Sequence, residues 1–317
     1  MDLNRHVIAG HGLTATFTEW GAALVDLRLD GHAPPLVLGL DRLADYAAGK
    51  SSYMGATVGC VANRIGGARF MLDGKEYRTD PNFRGRHTLH GGSAGTGKRV
   101  WEVLDHEADA IRFGITLADG EMGFPGNVRI EALFTCAPGT MLRIDYRATT
   151  DAPTPFNLAH HTYWNLDGSD DVSGHVLTVR ADRYVPVDDD QIPTGVAPVD
   201  GTEFDFRAGR NLPGQGLLDH NLCLSEVRTR LRDVAVLRAR GMMMTMATTE
   251  PGLQVYDGAR LNLSVPGIDG RRYGPHAGVA LEAQVWPDAV NRPAFPPCIL
   301  RPGETYEQTT TFRFSKG

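Results

Sequence analysis

The sequence predicts an all-β fold: one large antiparallel domain over residues 1–317, with few short helices. Three observations point there. Apolar residues recur at every second position through much of the chain, the period of a strand with one buried face. Turn-forming residues separate those runs, and 37 glycines and 19 prolines supply them. Helical periodicity is scarce, and no fixed-period repeat, low-complexity run or linker divides the chain.

The elements follow in chain order. Ala23, Val25, Leu27 and Leu29 alternate with Leu24, Asp26, Arg28 and Asp30, which reads as a strand. Asp41–Ala48 reads as a short capped helix. Arg69–Leu72 and Lys75–Arg78 flank Asp73-Gly74, a pair that tolerates the positive φ of a type I′ turn, so they form a hairpin. Val100–Val103 and Ile111–Leu117 read as strands. Val128, Ile130, Ala132, Phe134 and Cys136 alternate up to the turn Ala137-Pro138-Gly139-Thr140. Leu142, Ile144, Tyr146 and Ala148 alternate after it, giving a hairpin over 127–149. Val176–Arg180 follows. The loop-rich stretch 186–221 keeps the apolar anchors Val199, Phe204, Phe206 and Leu212. Val234–Arg238, Gln254–Tyr256, Gly278–Trp286 and Tyr306–Phe314 complete the set.

Bulk properties exclude several classes. The net charge is -6 and the basic residues are scattered, so nothing lines up to neutralise a nucleic acid. The N-terminal stretch lacks a basic start followed by an apolar core, so no export signal is expected. No run approaches roughly 18 uninterrupted apolar residues, so no membrane partner is expected either. Cys60, Cys136, Cys223 and Cys298 lie far apart without a CxxC, which reads as reduced, mostly buried thiols and a cytoplasmic setting.

Three constellations bear on chemistry. Gly92 through Lys98 fits the start of a phosphate-binding loop. Arg99 stands where that loop needs a hydroxyl, and Val100–Val103 reads as a strand rather than a helix, so a flexible glycine loop is the better reading. His87 and His90 are spaced HxxH, and His160 and His161 are adjacent. A strand sends neighbours to opposite faces, so His160 and His161 do not readily share a metal ion, and no metal site is expected. In Gly278–Trp286, Val279, Leu281, Ala283 and Val285 take one face while Ala280, Glu282, Gln284 and Trp286 take the other. Carboxylate, amide and indole on one side of a strand suit a solvated surface or a sugar site.

An ordered series of short segments then resembles the aldose 1-epimerase (galactose mutarotase) family. It runs through Asn63-Arg64-Ile65, Leu89-His90-Gly91-Gly92, Gly123-Phe124-Pro125-Gly126, and Asn157 to Leu166. It continues with Ile192-Pro193-Thr194-Gly195, Phe204-Asp205-Phe206-Arg207, Leu218-Asp219-His220-Asn221, Leu281 to Gln284 with Pro287-Asp288 and Asn291, and Leu300 to Glu304. The resemblance implies a large antiparallel β-sandwich with its site in a concave cleft. It implies His161 as general acid and Glu282 as general base. Arg64, His90 and Asp219 would bind sugar hydroxyls, with Gln284 a further contact and no cofactor. The family often carries Asn where His160 stands, so catalysis is expected on His161. The implied partner is a free monosaccharide, an aldohexose or aldopentose; the sequence sets neither the sugar nor an oligomeric state. A sugar-phosphate epimerase, a glycoside hydrolase or lyase using Asp219 and Glu282, and a silent sugar binder stay open as alternatives.

Overall fold

Alternation becomes architecture in the longest hairpin. The computed structural model describes residues 3–316; Met1, Asp2 and Gly317, the ends of the expected 1–317 domain, lie outside the described residues. Val128–Ala137 pairs antiparallel with Met141–Thr150, matching Ile130 with Ala148, Ala132 with Tyr146 and Phe134 with Ile144. All six of these side chains are buried. Gly139 and Thr140 take φ of 84° and 55° to turn the chain between them. Asp73 and Gly74 do the same at 48° and 81°, as a type I′ turn requires.

That hairpin is part of a nine-stranded sheet. From one edge its order is Arg210–Asn211, Val176–Val179, Arg232–Ala239, Met242–Thr248 and Tyr306–Lys316. It goes on through Met141–Thr150, Val128–Ala137 and Ala110–Leu117 to Glu102–His106. A six-stranded sheet runs Tyr163–Trp164, Val279–Gln284, Gly252–Tyr256, Asp219–Cys223, Arg183–Val185 and Ala197–Pro198. Both sheets are antiparallel throughout, and each sends one face into a common core. Phe134, Ile144, Leu237, Met244 and Phe312 come from the larger sheet, with Trp164, Leu253, Val255, Val279 and Leu281 from the smaller. This is the expected all-β sandwich.

The second face of the six-stranded sheet is also covered. Leu38, Leu40, Met54, Ala56, Val58 and Ala62 pack with Ala280, Tyr163, Leu261 and Tyr273 in a separate apolar cluster. Every residue of Val279–Gln284 is therefore buried, where a solvated or sugar-facing outer side was one expectation. Trp286 is a core residue rather than a sugar platform: its ring meets Phe295 edge-on at 5.2 Å and its indole N–H donates to the Pro251 carbonyl. Where this outer cover is incomplete, a cavity opens onto the sheet.

Two local expectations change. The helix spans only Leu43–Ala47 and its N-cap, Arg42, makes no side-chain capping bond. The glycine-rich run is closely packed. A Cβ on Gly91 would lie 1.9 Å from the Gly59 carbonyl oxygen, and one on Gly95 would lie 2.1 Å from that of His90. Close backbone approach explains these glycines without a phosphate.

Candidate active site

The cavity, of about 240 Å³, is lined by side chains drawn from widely separated stretches of sequence. Arg64 and His90 arrive together because the short strand Arg64–Ile65 pairs with Thr88–Leu89. His161 directly follows Ala159–His160, which pairs with Thr57–Val58. Glu282 and Asp219 stand on the six-stranded sheet, with Gln254 directly opposite Glu282 and Tyr256 opposite Asp219. Tyr53, Phe83, Tyr163 and Tyr256 supply aromatic walls.

Glu282 and His161 face one another at the buried floor, with Oε1 3.7 Å from Nε2. Burial pushes the Glu282 carboxyl up to about 8, the Asp219 charge adds to this and the Arg64 charge opposes it. Burial also pulls the His161 imidazole down to about 4. The two groups thus share one proton at neutral pH, and their surroundings favour its residence on Glu282. Among the described residues, Glu282 Oε2 and His161 Nδ1 have no hydrogen-bond partner. Buried polar atoms are rarely left so, and these are free to meet a polar ligand.

His90 is fixed in one tautomer. The Asn63 backbone N–H donates to its Nδ1 at 3.1 Å, while the His90 backbone N–H donates back to the Asn63 carbonyl at 2.9 Å. Burial, reinforced by His161 and Arg64, holds its pKa well below the usual imidazole range, so the ring is neutral and its proton sits on Nε2. Such a ring donates a hydrogen bond. Ligand atoms of His90, His161 and Glu282 all lie within 4.8 Å of one another, a cluster that HxxH or HH spacing does not reveal. A metal bound to all three would need a lone pair on His90 Nε2, and the bond from Asn63 opposes that tautomer.

Arg64 and Asp219 form the third side. Arg64 donates to Asn63 Oδ1 at 3.1 Å, to Gln191 Oε1 at 2.6 Å and to Asp219 Oδ2 at 3.4 Å, with its guanidinium 4.7 Å above the Phe83 ring. Asp219 accepts from Gln254 at 2.6 Å on one oxygen and from Gln191 at 2.8 Å on the other.

A family comparison identifies what this arrangement belongs to. The aldose 1-epimerase family model matches residues 6–313. The chain belongs to the aldose 1-epimerase family. It is 42% identical to the galactose mutarotase of Rattus norvegicus, over 96% of this chain and 91% of that protein. It is 34% identical to the aldose 1-epimerase of Escherichia coli, over 96% and 92%. The crystal structure of an aldose epimerase homologue from C. elegans superposes with a TM-score of 0.92 at 34% identity, covering 99% of both chains. This epimerase is accordingly an isomerase, a mutarotase.

Of the residues anticipated from sequence, the epimerase fold brings Arg64, His90, His161, Asp219 and Glu282 to the cavity wall. It leaves Gln284 off that wall. Gln284 is fully buried one alternation further along the strand, with neither amide atom hydrogen-bonded among the described residues. His160 points away from His161: its ring lies 5.4 Å from Phe134, and Nδ1 sits 2.8 Å from the Thr162 hydroxyl. Sequence reasoning missed Gln191 and Gln254. Gln254 becomes visible only once its strand is known to pair with the Glu282 strand, and nothing local marks Gln191.

Proposed function

We propose that Glu282 and His161 are the base and acid that open and close the ring of a free aldose. The reading rests on one observation above others: the two groups face each other 3.7 Å apart on the buried floor. Opening a hemiacetal needs a proton taken from the C1 hydroxyl while another is given to the ring oxygen. Glu282 takes the first as carboxylate and His161 gives the second as imidazolium. The aldehyde turns about C1–C2 and closes on its other face with the roles reversed, Glu282 now donating and the neutral His161 accepting. One shared proton serves both directions. Its preference for Glu282 in the free protein matches the protonation that ring closing starts from, and a proton transfer between the two groups readies the pair for opening.

Neutral His90 donates to a sugar oxygen, and Arg64 and Asp219 take neighbouring hydroxyls. The aromatic walls suit the C–H faces of a pyranose. No step calls on a metal, nucleotide or flavin. The substrate is an aldohexose or aldopentose, with galactose the first sugar to assay given the names of the similar mutarotases. Asp219 has both oxygens bound by amides and Arg64, a poor arrangement for the second acid of a glycosidase. Four free buried cysteines suit a reducing, cytoplasmic compartment, and the chain acts as one domain.

The test is polarimetry or NMR of freshly dissolved α-anomers across a panel of aldoses, with Glu282→Gln and His161→Asn beside the wild type. Each variant is expected to lose about 10²–10⁴-fold in rate. Activity within a few-fold of wild type, after subtracting spontaneous mutarotation, removes that residue from the mechanism.

A further inference from the structure

We propose that Gln191 is a positioning residue that holds Arg64 and Asp219 in a long ion pair, both aimed at the sugar, and ties both to Arg260 at the cavity mouth. The inference rests on the preceding reading, in which Arg64 and Asp219 hold hydroxyls. Gln191 is buried and does not itself line the cavity. Its Oε1 accepts from Arg64 at 2.6 Å and from Arg260 at 3.1 Å, while its Nε2 donates to Asp219 Oδ2 at 2.8 Å.

An amide fits this place because it accepts with one end and donates with the other. A carboxylate would satisfy both guanidinium groups but repel Asp219. A cation would do the reverse. With an apolar side chain, the amide would no longer draw on either group, and the ion pair between Arg64 and Asp219, now 3.4 Å, would be freer to shorten and compete with the sugar for both. The loop presets the geometry. Gln191 takes a left-handed φ of 61°, its N–H donates to the Asp188 carbonyl, and the Ile192 N–H donates to the Asp188 side chain. Val187 and Pro193 close the loop by bridging.

The charged groups around the amide come from four segments. Arg64 lies on the Arg64–Ile65 strand, Asp219 on the Asp219–Cys223 strand, and Arg260 just beyond Gly252–Tyr256. On the loop itself, Asp190 is engaged by Arg84, Arg86 and His87, and Asp188 by the loop backbone.

Two variants test the proposal, with kcat, KM and the thermal midpoint measured on the same sugar. Gln191→Asn tolerates the left-handed backbone and keeps an amide, but is one methylene short of the bridge. Its KM is expected to rise roughly 10–100-fold, the size of a hydrogen bond to a charged group, with kcat little changed and the midpoint unmoved. Gln191→Glu keeps the shape and loses the donor. Its kcat/KM relative to wild type is expected to climb as pH falls from about 8 to about 5, because the introduced carboxyl donates to Asp219 once protonated. The Asn variant's ratio stays flat over that range. Both variants within about twofold of wild type, or a pH-independent loss in Gln191→Glu that follows its thermal midpoint, overturns the proposal. Asp219→Asn separates the two failures. If it weakens sugar recognition while the Gln191 variants do not, the reading of the site stands and only the role of Gln191 falls. If it too is neutral, both fall.

Discussion

The nine-stranded and six-stranded sheets share one core and differ on their outer faces. On the larger sheet, Arg129, Glu131, Arg143 and Asp145 alternate with the buried set and meet water, partly paired as Arg112 with Glu131 and Arg143 with Asp145. On the smaller sheet, the alternate positions of Val279–Gln284 are as buried as the core positions, yet they include Glu282 and Gln284. A polar group under cover costs stability unless it is satisfied. The larger sheet therefore carries the fold, and the smaller carries unsatisfied groups that chemistry can use.

The largest expected effect separates the two sheets outright. Glu282→Gln removes a buried ionisable group at nearly constant shape, so the rate should fall about 10²–10⁴-fold while the melting temperature holds or rises. A matching loss of stability would make Glu282 a structural residue. Phe134→Ala inverts the experiment. Its ring is fully buried, 4.6 Å from that of Phe17. Unfolding in urea should show about 3–5 kcal/mol lost. Mutarotation per folded molecule should stay near wild type, and a specific loss of kcat would mean that the larger sheet shapes the site directly.

Asp219→Asn lies between these in size. It keeps the contacts' shape but removes a charged acceptor, and kcat/KM should drop roughly 10–100-fold. The loss should be larger for sugars presenting the contacted hydroxyl than for their deoxy analogues. Equal losses for all of them would confine Asp219 to a structural role. The smallest effect is a shift in pH dependence. In wild type, kcat/KM should fall as pH rises through about 8, where Glu282 gives up the pair's one proton. Asp219 is the second cause of that raised value, so in Asp219→Asn the alkaline limb should move to lower pH. An unmoved limb would assign it to another group.

How much was legible in the sequence follows the same division. Alternation with one wet face wrote out the 127–149 hairpin nearly to the residue. Glu282 stood out because it shares one parity of its strand with Gln284 and Trp286, opposite an apolar face. Trp286 was misleading because a strand covered on both sides no longer separates core from site by parity alone. His161 was preferred to His160 on the family resemblance alone, and the ring of His160 against Phe134 shows how the two differ. Gln254 reaches the site only through a register set across the long connection from Tyr256 to Val279. Gln191 depends on a single left-handed residue in a loop, and no periodicity encodes that.

The buried histidines of the site floor, with His160 behind them, also have a cost on the acid side. His90, His160 and His161 are all neutral in the fold, held well below the usual range, at about 3 and at about 4 respectively. Released into an unfolded chain, each would bind a proton near about pH 6.5. The unfolded chain then takes up protons that the folded one refuses, so stability declines as pH drops from about 6.5 toward about 4. Glu282, protonated in the fold up to about 8, pulls the opposite way and offsets part of the loss. Part of the chain's sensitivity to acid thus sits in these buried rings, beside that of carboxylates such as Glu19 and Asp190, which their partners hold well below the usual range. His160→Asn retains a partner for the Thr162 hydroxyl and deletes one of the three sites. In an acid titration followed by circular dichroism, its unfolding midpoint should lie at lower pH than that of the wild type, with mutarotation near neutrality left intact.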